Sequence, residues 1–187
     1  LTEEPSVNPL AAAFIEAAHF TPVVRSRVDL VVIHSMEAPE KPGRARQVAD
    51  WFAGEQAPQA SAHYCVDRNE VIQCVREHYV AWAAPGANSN GIQVELAGYA
   101  SQRAADWDDE YSAAMLDRAA ELVAGICQRW EIPAVLVGAV TLKRRFRGIT
   151  THASVSLAFR KSTHTDPGPN FPMSRFVAQV AAAKARL

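Results

Sequence analysis

The sequence predicts an α/β domain in which a mixed, mainly parallel sheet is flanked by helices. Three observations predict it. A β-branched, almost continuous apolar run at 28–33 (Val-Asp-Leu-Val-Val-Ile) has the pattern of a strand buried on both faces. A long segment at 107–130 carries apolar residues at helical spacing. Strand-like and helix-like stretches then alternate along the rest of the chain, with one hairpin among them. In such sheets ligands sit at the ends of strands, so residues at strand ends are the first to weigh for function.

Residues 8–18 are rich in helix-forming Ala, Phe and Ile, and Thr21-Pro22 closes the segment because the residue before proline is pushed out of the α region. The sequence therefore predicts an N-terminal helical extension over 1–27. The strand at 28–33 runs into His34. After a turn-like stretch at 38–43, Val48, Trp51 and Phe52 fall at i, i+3 and i+4 and predict one face of a helix. Residues 62–67 and 71–75 read as a hairpin turning at Asn69-Glu70. A loop punctuated by Pro85 and Gly86 follows. Ile92-Gln93-Val94-Glu95-Leu96 then alternates cleanly, which turns Gln93 and Glu95 to one face and the apolar residues to the other.

The long helix is expected to be capped by Asp106, with Asp108, Asp109 and Glu110 at the positive end of its dipole. Met115, Ala119, Leu122, Val123, Ile126, Cys127 and Trp130 form its stripe. Beyond Pro133 come a mixed stretch to Arg147, a short segment at 148–152, a polar loop, and a last helix with Pro172 in its first turn.

At 187 residues, with 49% hydrophobic and 21% charged, the chain suits one globular domain. Nineteen Lys+Arg against twenty Asp+Glu give a net charge of −1, so no global basic field draws it to nucleic acid or anionic membrane. The basic run Lys143-Arg144-Arg145-Phe146-Arg147 is local and reads first as a solvated loop. No apolar run approaches the roughly 20 residues of a membrane span, and no basic-then-apolar segment opens the sequence, which predicts a soluble protein. Three cysteines lack C-x-x-C spacing and leave the redox compartment open. With the turn at Asn69-Glu70, Cys65 and Cys74 face each other across the hairpin, as two buried thiols or as a disulfide, and Cys127 stays free on the helix stripe.

His34 at a strand end, His152 in Thr-Thr-His-Ala-Ser and Asp166 in His-Thr-Asp-Pro-Gly together form a normal catalytic zinc set, two imidazoles and a carboxylate with the fourth position left for water. Their spacing matches no local motif, so spacing alone does not establish a metal site. The blocks around them carry more. Val32-Ile33-His34-Ser35-Met36-Glu37, Ser61-Ala62-His63-Tyr64, Ala81-Trp82, Gly91-Ile92-Gln93-Val94-Glu95-Leu96-Ala97-Gly98, Gly148-Ile149-Thr150-Thr151-His152 and Thr165-Asp166-Pro167-Gly168-Pro169-Asn170-Phe171-Pro172 occur in this order. Together they resemble the zinc-dependent N-acetylmuramoyl-L-alanine amidases of the type 2 family, which includes phage endolysins, bacterial muropeptide amidases and peptidoglycan recognition proteins. The resemblance covers 28–176.

The resemblance implies one amidase catalytic domain over 1–187, with Zn2+ as cofactor held by His34, His152 and Asp166. It implies Glu95 as the catalytic carboxylate and His164 as the donor to the oxyanion. Relatives commonly carry Lys where this chain has His164, and a histidine with a pKa of about 6.5 is only partly charged at neutral pH. His63, Trp82, Asn88 and Lys161 are the expected substrate contacts, while Ala83 stands where relatives often have His.

The expected reaction is hydrolysis of the amide between N-acetylmuramic acid and the L-Ala of the stem peptide, in a phage endolysin or lysin-like amidase. A bacterial enzyme of wall remodelling or muropeptide recycling, and a non-catalytic peptidoglycan-binding module, are the alternatives. The expected partner is peptidoglycan or a muropeptide, with no nucleic acid and no membrane, bound by a monomer. Action at the bacterial cell wall is implied, from the host cytoplasm for an endolysin and otherwise from the periplasm or outside. The basic run at 143–147 could touch acidic stem peptides or anionic wall polymers.

Overall fold

The computed structural model describes residues 7–187. In chain order the elements are β1 (Ala13–Phe14), β2 (Phe20–Thr21), β3 (Leu30–Ser35), α1 (Arg44–Ala53), β4 (Tyr64–Val66), β5 (Val71–Gln73), β6 (Val80–Ala81) and β7 (Gly91–Leu96). A 3-10 turn at Ala104–Asp108 leads into α2 (Glu110–Arg129), followed by α3 (Ala139–Lys143), β8 (Gly148–Thr151), α4 (His152–Phe159) and α5 (Met173–Lys184). Six strands form one sheet in the order β1-β5-β4-β7-β3-β8, and β2 pairs with β6 beside it. Only β4 and β5 run antiparallel in the main sheet; the other neighbours are parallel. The fold is thus the mixed, mainly parallel sheet between helices that the alternation predicts.

β3 is buried along its whole length because both faces are covered. Val31 and Ile33 face α2 and α5, whose apolar stripes close the largest core cluster. Leu30 and Val32 face Leu142 of α3 and Val155 of α4. On that same second face, further along the sheet, α1 packs Ala45, Ala49 and Phe52 over Cys65 and Ile72. Period-two alternation then puts His34, Gln93 and Glu95 on the α1 and α4 side.

Four expectations need correction. Within the described part of 1–27 there is no helix: Ala12 and Ile15 donate their backbone N–H groups to Val71 and Gln73, so ladder bonds along β5 override the helix propensity of 8–18. The hairpin turns at Arg68-Asn69, one residue early, because the buried Asp67 carboxylate accepts from the N–H groups of Asn69 and Glu70 at 2.7 and 3.0 Å. Cys65 therefore pairs with Ile72, and Cys74 lies diagonally across, two reduced thiols 3.9 Å apart. The long helix begins after Asp109, which accepts from the N–H of Ser112, whereas Asp106 braces the preceding 3-10 turn with Arg103. Finally, 152–159 is a helix, not part of a polar loop; Thr151 caps it by accepting from Ser154.

Candidate active site

The register of the parallel strands builds the site. β3 and β7 pair so that His34 lies directly beside Glu95, and β8 pairs with β3 up to Thr151 opposite Ile33, which delivers His152 next to His34. Asp166 arrives on the loop after α4, where its carbonyl accepts from the N–H of Ala153 at the first turn of that helix. The loop can sit this close because Gly168 passes over Ala100 with φ +92; a Cβ there would lie 1.9 Å from the Ala100 carbonyl oxygen.

Three donor atoms converge. The Asp166 carboxylate places Oδ2 3.0 Å from Nδ1 of His34 and Oδ1 3.1 Å from Nδ1 of His152. One ligand atom from each residue falls within 4.8 Å of the others, and all three residues are buried. The far ring nitrogens are occupied. Nε2 of His34 donates to Oε1 of Gln93 at 3.0 Å, and the Gln93 amide is oriented by its own bond to the Ala87 carbonyl. Nε2 of His152 meets Ser162 Oγ at 3.1 Å, and Ser162 is held in turn by Ser156. Both imidazoles are thereby fixed with Nδ1 inward, the arrangement that outer hydrogen bonds give to metal-binding histidines.

The electrostatics suit a cation. Burial works against a charge on His34, yet Glu95, Asp166 and Gln93 outweigh it and raise its pKa to about 9. Burial also opposes the charge on Asp166, but His152 and His34 hold its carboxyl far below the ordinary carboxylate range. Burial pushes Glu95 up to about 7 against the pull of His34, with Asp166 and Glu37 adding to the rise. Glu95 Oε2 is buried without a hydrogen-bond partner. A pocket with two inward imidazole nitrogens, a carboxylate and surplus negative field fits a divalent metal of the zinc type.

The site opens into a cleft of about 220 Å³ whose walls include Val48, Trp51, Trp82 and His164. The His164 ring stacks on His152 with centroids 4.5 Å apart and its Nδ1 lies 3.3 Å from Asp166. Trp82 is anchored by a 2.9 Å bond from Nε1 to Thr21 and stacks on His19.

The other expected substrate residues lie elsewhere. His63 is fully buried: its Nδ1 accepts from the Gln93 N–H at 2.9 Å and its Nε2 donates to the Tyr79 carbonyl, beside the guanidinium of Arg25. Asn88 turns its side chain inward to accept from the N–H groups of Ala83 and Ala84. Lys161 is exposed and is not among the residues lining the cleft.

Sequence reasoning missed Gln93, Trp51 and Val48. Gln93 shares the polar face of its strand with Glu95, a pattern that does not reveal its partner His34 on the neighbouring strand. Trp51 and Val48 read as a core stripe, but the small Ala45 and Ala49 take the place against the sheet and leave Trp51 56% exposed in the cleft wall.

Residues 24–169 match the family described as N-acetylmuramoyl-L-alanine amidase. The chain belongs to that family. Among curated proteins it is 34% identical over 106 residues to N-acetylmuramoyl-L-alanine amidase A of Achromobacter lyticus, covering 56% of this chain and 54% of that one. It thus spans about half the length of that relative. Among solved structures it is similar to AmpD, at 19% identity with a TM-score of 0.67, covering 95% of this chain and 98% of the other. It is also similar to the Staphylococcus aureus hydrolase AmiA, at 16% identity and TM-score 0.67 over 98% and 96% of the two chains, and to an endolysin from Bacillus subtilis, at 16% and 0.58 over 89% and 97%. At these identities the likeness is one of fold. The amidase-family match spans β3, β7, β8 and Asp166, the parts that build the site.

Proposed function

We propose that the chain is a zinc-dependent peptidoglycan amidase that hydrolyses the amide between N-acetylmuramic acid and the L-Ala of the stem peptide. The observation that carries this reading is the convergence of His34, His152 and Asp166 beside Glu95 at the floor of a cleft, in a chain of the amidase family. Zinc, held by these three residues, would supply Lewis acidity to the amide carbonyl and make water acidic enough to be a nucleophile near neutral pH.

The protein's own groups do the rest. Glu95 accepts a proton as water attacks the carbonyl carbon, and passes it to the amine nitrogen as the C–N bond breaks. Its burial favours the protonated form that it takes between the two transfers. His164 offers an N–H to the developing oxyanion, where one donor is worth about 2.7–4 kcal/mol. Trp82 and Trp51 give the substrate aromatic walls.

The bacteriolytic, endolysin-type role is favoured by Ser61-Ala62-His63-Tyr64 and by His164-Thr165-Asp166-Pro167-Gly168-Pro169. A second reading, a bacterial amidase in place of a phage one, is favoured by the 34% identical amidase of Achromobacter lyticus. In either role the chain acts as a monomer on the cell wall. Its helices include none long and apolar enough to cross a membrane among the described residues.

Mass spectrometry of muropeptides after digestion tests the reading. The expected products are a free lactyl carboxylate and a stem peptide beginning with an L-Ala amine, formed only without chelator. Cleavage at a glycosidic or peptide bond instead would overturn it.

A further inference from the structure

The segment between α2 and β8 carries an exposed surface that the site does not use. Residues 135–137 run along the outer edge of β8, where Val137 donates to Ile149 and Ile149 to Val135, and α3 then packs on α4. Four large apolar side chains of this one excursion are nevertheless exposed: Val135 at 50%, Leu136 at 49%, Val140 at 69% and Phe146 at 56%. Lys143 and Arg144 stand three and four residues after Val140, on the same side of α3. With Arg145 they form a run of exposed cations that has no acidic or hydrogen-bonding side-chain partner among the described residues. Arg147 differs, being tied to Asp29 and to the carbonyls of Val28 and Trp130.

The placement matters for a polymer. The run leads into Gly148, which pairs with Leu30 at the start of β3, whereas His34 lies at the other end of that strand. The separation along the strand is roughly 13 Å at about 3.3 Å per residue. A small substrate in the cleft would not touch this face. A long one could engage both.

We infer that Lys143, Arg144, Arg145 and Phe146, with Val140, form a second binding surface for the substrate polymer itself, a stretch of peptidoglycan other than the one being cut. This rests on the amidase reading for the identity of the polymer. Stem peptides end in carboxylates, which guanidinium groups bind in a bidentate manner, and the apolar faces of sugar rings pack on exposed aromatic and aliphatic side chains. Nucleic acid would match the charge and leave Val140 and Leu136 without a role. Two weak sites on one repeating polymer raise retention far above either alone, because the second contact forms at high local concentration.

Co-sedimentation with sacculi stripped of other wall polymers, over a salt series, tests the inference. The full chain is used with Glu95→Gln in both arms, so that the polymer is not consumed. Combined Lys143→Gln, Arg144→Gln and Arg145→Gln should weaken sedimentation about tenfold and flatten its salt dependence. Phe146→Ser alone should weaken it by a smaller factor without changing the salt slope. With Glu95 intact, the triple variant should hydrolyse a soluble muropeptide at the normal rate and sacculi more slowly. Undiminished sedimentation of the triple variant, or displacement of the protein from sacculi by a low concentration of duplex oligonucleotide, overturns the inference. Failure of the parent chain to cut the soluble muropeptide would count against the amidase reading alone, since the sedimentation result stands without turnover.

Discussion

Glu95 is the residue on which the proposed chemistry turns, and its setting separates a catalytic from a structural role. Its Oε2 is buried with no partner and its Oε1 is 3.9 Å from His34 Nδ1, so no hydrogen bond of the fold depends on the carboxylate. Glu95→Gln should keep the fold and bind zinc while turnover falls by about 10²–10⁴-fold, the usual contribution of a positioned base. A near-normal rate in zinc-loaded protein would assign the base to another group. Gln93 predicts the converse pattern. It is fully buried and does not line the cleft, but its Oε1 holds Nε2 of His34 and so fixes which ring nitrogen points into the site. Gln93→Leu should weaken zinc binding by about 10–100-fold, as loss of an outer hydrogen-bond partner does, and excess zinc should restore much of the rate. Competition with a zinc-sensitive dye measures the affinity, and unchanged affinity in the variant refutes the positioning role. At this scale the meeting of His34, His152 and Asp166 beside Glu95 was legible because their sequence blocks are specific. Gln93 was not, since its role is a contact with another strand that no single-strand pattern contains.

Among the elements, the hairpin and its neighbours show what periodicity can and cannot carry. The strands at 28–33, 71–75 and 92–96 were legible, because alternation and β-branching are properties of one segment. The turn between β4 and β5 was not, because it is set by Asp67, whose Oδ2 also accepts from the Ala45 N–H at the start of α1. One buried carboxylate therefore ties the hairpin to a helix N-terminus, where negative charge is favourable. Asp67→Ala strands these N–H groups and should cost about 2–3 kcal/mol in urea unfolding; a loss below 0.5 kcal/mol, about the usual size of a surface substitution, would mean that the turn holds itself. The fully buried His63 gives this region a pH dependence. Burial, with the charge of Arg25, keeps its pKa well below 6.5, so at pH 5–6.5 the unfolded chain takes up a proton that the folded one does not. Stability should then fall as pH drops below about 6.5, by up to about 1.4 kcal/mol per pH unit. The difference between the parent chain and His63→Asn, measured at each pH, isolates this residue: the variant should be less stable at pH 7 and lose less between pH 6.5 and 5. Parallel stability curves would show that His63 is protonated in the folded state.

For the whole molecule, the candidate ligands come from the end of β3, the first turn of α4 and the loop pinned to that turn, so no local segment can hold the metal alone. Zinc held by these residues would therefore be coupled to the complete fold, and residue spacing was uninformative because the three positions meet only through the β3 to β8 register and the Asp166 carbonyl bond to Ala153. A ligand that binds only the folded state adds RT ln(1 + [L]/Kd), about 2.7 kcal/mol at a hundredfold excess over Kd. For a chain of this size that corresponds to a rise in Tm of roughly 5–10 °C. Elemental analysis should find one zinc per chain, and chelation should lower Tm by this amount and abolish turnover, both recovering when zinc is restored. His152→Ala supplies the control, because it removes one inward nitrogen while leaving Asp166 bound to the Ala153 N–H. The variant should hold little zinc, and its Tm should be the same with and without chelator. If chelation removed the metal from the parent chain and left both Tm and turnover untouched, the cluster would be a hydrogen-bonded structural knot, and hydrolysis would have to proceed through Glu95 and His164 without a metal.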